Sequence, residues 1–68
     1  MAIATIDGKA YPLIEREGGG YLAQALTRDA FMEARRGERW IEHEGRRARI
    51  ASIEDLPGGD FVVRFIYV

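Results

Sequence analysis

LTRDAFMEARRG, residues 26–37, is the one stretch of the chain that carries the full signature of a helix, and what that helix must pack against decides the fold. Thr27 stands at the N-cap position, its hydroxyl placed to accept from an otherwise unpaired amide of the first turn. Leu26 and Phe31 fall at the two positions of a hydrophobic staple. Asp29 in the first turn and Arg35 and Arg36 in the last suit the macrodipole, and Gly37 follows where a left-handed residue closes a helix. Ala30, Phe31 and Ala34 form a narrow apolar stripe, with Arg28, Glu33 and Arg36 on the opposite side. A helix of about ten residues is barely populated alone in water. The stripe therefore needs a surface to lie on, and the flanking sequence reads as sheet.

On the N-terminal side, AIATI (2–6), Asp7-Gly8 and KAYPLIERE (9–17) predict a β-hairpin with a two-residue type I′ turn. Pro12 cannot donate to a ladder and belongs on an edge. Gly18-Gly19-Gly20 forms the next turn, and a short strand over 21–25 feeds the helix. Three glycines also suit a phosphate-cradling loop, but they lack the Gly-Lys-Ser/Thr ending or the strand–GxGxxG–helix context such loops need.

On the C-terminal side, ERWIEHEGRRARIASI (38–53) predicts a second hairpin with two possible registers. A three-residue loop His43-Glu44-Gly45 sets Trp40 opposite Ala48, on the face that also carries Ile50, and pairs Arg39 with Arg49. A two-residue turn at Glu44-Gly45 sets Ile41 opposite Ala48, Glu42 opposite Arg47, and Arg49 across from Trp40. Turn chemistry favours the first, since Glu is an awkward opener for a type I′ turn. Residues 54–60, EDLPGGD, are rich in breakers. FVVRFIYV (61–68) is the strongest strand signal, apolar on both parities except at Arg64, and predicts a strand covered on both faces or an exposed terminal edge. The expected fold is α+β: a small, mainly antiparallel sheet in the order β-β-β-α-β-β-β with the helix on one face. A strongly bent, barrel-like sheet is the alternative. With no internal repeat, linker or low-complexity segment, residues 1–68 read as a single domain.

The 68 residues are 47 % hydrophobic and 31 % charged, with a net charge of −1, the profile of a small globular domain. The absence of Cys excludes disulfides, thiolate metal sites and cysteine nucleophiles. No apolar run approaches a membrane span, and no basic start precedes an apolar core, so a cytoplasmic location is expected.

Catalytic chemistry finds no support. His43 sits between Glu42 and Glu44 near a hairpin tip, where neighbours on a strand point to opposite faces and cannot orient its ring, so a solvated tip histidine is expected. Ser52 and Thr27 have no base partner. The carboxylate pairs Glu15/Glu17, Glu42/Glu44 and Glu54/Asp55 supply too few ligands for a metal site. No cofactor is implied.

Two binding readings remain, beside a structural one. Arg, Trp and Tyr are enriched at interface hot spots, and Tyr11, Tyr21, Trp40 and Tyr67 are a generous supply for so small a chain. The first expectation is therefore a non-catalytic protein-binding module, an inhibitor or adaptor with a protein partner. The second is nucleic-acid binding by an arginine patch at 35–49, formed by Arg35, Arg36, Arg39, Arg46, Arg47 and Arg49 and interspersed with Glu38, Glu42 and Glu44. A third is a homo-oligomer, a homodimer built through the C-terminal strand 61–68.

YPLIEREGGGYLAQA, residues 11–25, resembles the first strand pair of the HicB-type antitoxin fold, in which an aromatic-Pro strand runs into a glycine turn and a second strand. The resemblance covers under a quarter of the chain. The Pro-Asp-Leu-Pro-Gly stretch of those proteins is absent after the second strand, and Leu-Pro-Gly appears only at 56–58. What it implies is a strand pair, with no function attached. In size and element order the chain is also similar to small phage-encoded inhibitors.

Overall fold

Two type I′ hairpins frame the architecture of the computed structural model, which describes residues 2–67. In the first, Asp7 and Gly8 take positive φ (53° and 79°) between β1 (Ala2–Ile6) and β2 (Lys9–Glu15), the turn that Asp-Gly predicts. The second lies between β4 (Ile41–His43) and β5 (Arg46–Asp55), where Glu44 and Gly45 take φ of 54° and 73°. Its register sets Ile41 opposite Ala48, Glu42 opposite Arg47 and His43 opposite Arg46. The three-residue loop favoured by turn chemistry is thus corrected, and the reason is Glu42. A register that turned Trp40 inward would turn Glu42 inward with it, since residues two apart share a face. Burying that carboxylate costs more than one left-handed Glu44.

The remaining strands are β3 (Tyr21–Ala23) and β6 (Phe61–Tyr67). All neighbours are antiparallel, and the sheet closes in the order β1-β2-β3-β6-β5-β4. The chain is therefore α+β as expected, with the sheet in its bent, barrel-like form. β1-β2-β3 and β4-β5-β6 are two meanders with matching hairpins, so Ile6 and His43 occupy equivalent inward positions before their turns. The meanders join where Ala4 faces His43 and where Tyr21–Ala23 pairs with Phe61–Val63. Closure leaves little of the open edge expected for 61–68. β6 pairs with β5 along its length, and only Arg64–Tyr67 lacks a ladder partner on the β3 side among the described residues. Val68, the end of that expected edge, lies outside the described residues. Counting from the two-residue turn, Pro12 occupies a non-hydrogen-bonded position opposite Ile3, so its missing N–H interrupts no bond to β1.

Between the meanders, α1 (Arg28–Arg36) follows a 3₁₀ turn at Ala25–Thr27. The entry differs from the capping pattern in the sequence. Thr27 adopts φ −96°, ψ 0°, and its hydroxyl donates to the Gln24 carbonyl at 2.8 Å instead of accepting from the helix. Leu26 is 88 % exposed, so no staple forms. Long-range contacts hold the entry instead. The Ala25 N–H donates to Asp60 Oδ1 at 3.1 Å, and Arg28 makes a two-pronged bond to Asp55 at 2.7 and 2.9 Å. At the far end Gly37 has φ −83°, and the left-handed residue is Glu38, at φ 49°. The Arg39 N–H reaches the Ala34 carbonyl and that of Glu38 reaches Arg35, which is the Schellman closure shifted by one residue.

The helix presents Phe31 and Ala34 to the barrel, both buried. Phe31 meets Tyr11 and Phe61 edge-on, with centroids 5.7 and 5.5 Å apart. Inward residues of all six strands complete the core, among them Ala4, Leu13, Ala23, Ile41, Ala48 and Val63. Away from the helix the core is aromatic and contains His43, which is fully buried rather than a solvated tip residue. The corrected register is what takes it inside. Among the described residues no helix is long and apolar enough to cross a membrane.

Candidate binding groove

The register that buries Ile41 and His43 turns Trp40 outward, where it remains 45 % exposed. Arg47 and Arg49 stand on the outer face of β5 and lay their guanidinium groups over the indole, 4.9 and 4.5 Å from its ring. Across β5 from Trp40, Arg49 is opposite Ile66, which is 63 % exposed. An outward row therefore runs from Trp40, just before β4, through Arg49 on β5 to Ile66 on β6.

The end of α1 stands beside this row and makes a wall. Ala34, Arg35 and Glu38 line one side of a groove of about 420 Å³, with Trp40, Arg49, Ala51 and Ile66 on the other and Tyr67 at its margin. An irregularity between Ile50 and Ser52 leaves Ala51 unpaired. The extra residue keeps Ile50 and Ile53 on the core side, and the small Ala51 side chain leaves the groove open. Glu38 approaches Arg49 at 3.6 Å across the rim, both groups exposed, a pair of small energetic weight.

The arginines expected to form one patch divide. Arg35 and Arg49 line the groove, Arg47 stacks on its tryptophan, and Arg46 lies 4.4 Å over the ring of Tyr67. Arg39 turns away to an ion pair with Asp7, and Arg36 stays exposed at the helix end. Of the aromatic candidates, Trp40 and Tyr67 reach the groove, whereas Tyr11 and Tyr21 pack against the core. Ile66 is the groove residue that aromatic and charge content do not flag. Its signal is parity: Arg64 marks the outward positions of FVVRFIYV, and Ile66 shares them.

His43 and Tyr67 form a polar contact inside the barrel core. His43 Nδ1 lies 2.5 Å from the Tyr67 hydroxyl. The imidazole stacks on Phe65 and meets Tyr21 edge-on, each at 4.6 Å, while Nε2 is buried without a partner. Burial pushes the His43 pKa below its ordinary value, only partly opposed by Glu44, and raises that of the Tyr67 phenol. The pair is therefore a neutral imidazole against a neutral phenol, and no lining of the groove includes His43. No family model matches the chain, and no curated protein or solved structure matches it either.

Proposed function

We propose that the chain is a non-catalytic binding domain of the cytoplasm, an inhibitor or adaptor that captures another protein in the groove between the end of α1 and the outer face of β4-β5-β6. One observation carries this reading: Trp40 and Ile66 are both solvent-exposed in one row, and two arginines hold the indole in place. Exposed large apolar side chains gathered in a concave site are uncommon on a monomer and favour contact with a partner. Tryptophan and arginine are also the side chains that dominate interface energetics. Ordering the indole in advance lowers the entropy lost on association.

The arrangement supports nucleic acid less well. A base stacks on an aromatic face, and here guanidinium groups already lie over the indole. Glu38 and Glu42 also interrupt any continuous path for phosphates, with Glu42 directly opposite Arg47.

Affinity capture from the source cell tests the reading. A partner held by the wild-type chain should be lost with Ile66→Asp and retained with Ile14→Asp, which places the same charge on the outer face of the other meander. Capture unaffected by Ile66→Asp removes the groove from the argument. Anisotropy titrations of labelled oligonucleotides at about 50 and 200 mM salt test the other class. Binding that weakens steeply with salt would put nucleic acid first.

A further inference from the structure

We infer that the groove takes an acidic segment of its protein partner, one that seats an apolar side chain against Trp40 and Ile66 and sets carboxylates against Arg47 and Arg49. The inference rests on the groove being the binding site and adds the chemistry of what enters it.

A guanidinium paired with a carboxylate has spent its donors; one stacked on a ring has not. Cation–π contact uses the face of the guanidinium and leaves its N–H groups directed outward in the plane. Arg46 stacks on Tyr67, and Arg47 and Arg49 on Trp40. Among the described residues, Arg46 and Arg47 form no ion pair, and Arg49 has only the long, exposed approach of Glu38. Arg28 and Arg39, by contrast, have close carboxylate partners in Asp55 and Asp7. On β5, then, three guanidinium groups lie over aromatic rings with no close carboxylate partner among the described residues. Carboxylates meet such forks with two parallel hydrogen bonds.

Spacing and sign agree. Arg47 and Arg49 are two residues apart on one strand, about 6.6 Å. Carboxylates two apart on an extended segment, or four apart on a helix, repeat at similar distances. Arg35 adds positive charge from the helix side. Arg35, Arg47 and Arg49 exceed Glu38 and Glu42 by one positive charge on this face, against a net charge of −1 for the chain as a whole. A basic or merely apolar segment would leave the forks without acceptors once water is displaced.

Selection from a random peptide library tests the assignment without the natural partner. Displayed twelve-residue peptides are panned on the immobilised 68-residue chain and counter-selected on the Trp40→Ala/Ile66→Asp variant. Synthetic copies of the hits are then titrated by fluorescence anisotropy. The expected hits carry Asp or Glu around Leu, Phe or Trp. They weaken about tenfold or more with Arg47→Glu/Arg49→Glu, and by less with Arg47→Gln/Arg49→Gln. Circular dichroism should show both variants folded, since the substituted side chains are exposed. Hits that need Trp40 and Ile66 but show no acidic bias overturn the acidic assignment and leave the groove reading standing. A selection with no hit that distinguishes wild type from the counter-selected variant overturns both. A dT oligonucleotide that binds more tightly than the best peptide, and is released by Arg47→Glu/Arg49→Glu, overturns the inference in favour of nucleic acid.

Discussion

Acid should weaken this fold through His43 well before it reaches the carboxylates. The ring is fully buried, one nitrogen contacts Tyr67 and the other has no partner, so a positive charge there has nowhere to be solvated. Burial accordingly holds the His43 pKa below 6.5 in the folded chain. As pH falls through 6.5 the unfolded chain takes up a proton that the folded one resists, and stability falls with pH. A folded state that stays neutral sets the upper bound. The loss then approaches about 1.4 kcal/mol per pH unit and comes to about 2 kcal/mol between pH 7 and pH 5. For a chain of this size that is a large part of a total of about 3–10 kcal/mol. Asp55 titrates elsewhere: its hydrogen bond from Arg28 moves its pKa below 3.8, so the stability it adds is present above that value and lost only in stronger acid. Urea unfolding followed by circular dichroism and by Trp40 fluorescence, at half-unit steps from pH 7.5 to 4.5, reads the slope. His43→Phe keeps a flat ring against Phe65 and should flatten the dependence above pH 5. A slope that survives His43→Phe unchanged would refute the reasoning.

Three other outcomes follow from the packing. Phe31→Ala removes the side chain through which α1 meets Tyr11 and Phe61 and should cost about 3–5 kcal/mol, leaving little or no cooperative thermal transition, whereas Phe31→Leu should retain one. A Cβ at Gly20 would lie 2.8 Å from Val62 Cγ1, at a φ of 76°. Gly20→Ala should therefore lower the urea midpoint distinctly more than Gly19→Ala, which has positive φ but open space. Glu38→Gly relieves a left-handed non-glycine residue at the helix closure and should raise stability by about 1 kcal/mol in the same assay, with loss of the weak Arg49 pair a minor offset.

The elements of this fold are legible where one residue type has one physical reason to be present. Asp7-Gly8 and the glycines at 18–20 mark turns because they accept positive φ, and both turns are found there. Phe31 and Ala34 mark the buried helix face, as observed. What local chemistry does not decide is a choice between alternatives that differ in burial far along the chain. The turn at Glu44-Gly45 is unfavourable when judged at the turn, and it prevails because Glu42, two residues back, would otherwise enter the core. The same choice decides that His43 is interior and Trp40 exterior, so one register error changes the whole reading of the site. The helix entry is settled by Asp55 and Asp60, distant in sequence, and no capping rule contains them.

Why the proposed binding face falls on the second meander follows from the repeat of the architecture. The core constrains only inward positions, and those are filled alike in the two halves: Ala4, Ile6 and Leu13 in one, Ile41, His43 and Ile50 in the other. Outward positions escape that constraint, and there the halves diverge. β1-β2-β3 shows Ile3, Pro12, Ile14 and Leu22 to the outside, a face with no fixed charge among them. β4-β5-β6 shows Trp40, Glu42, Arg47, Arg49, Arg64 and Ile66. The end of α1 stands beside this second face, converting a convex barrel wall into a groove with an apolar floor and a charged rim. The first face has a smaller concavity, about 260 Å³, lined by Pro12, Ile14, Leu22 and Gln24 with Asp60 and no arginine, and offers chiefly apolar area. A groove that combines an ordered indole with unspent guanidinium donors can also discriminate by charge, because a partner lacking acceptors would strand those donors out of water. In the proposed complex, specificity therefore belongs to the arginine row of β5, and affinity to Trp40 and Ile66.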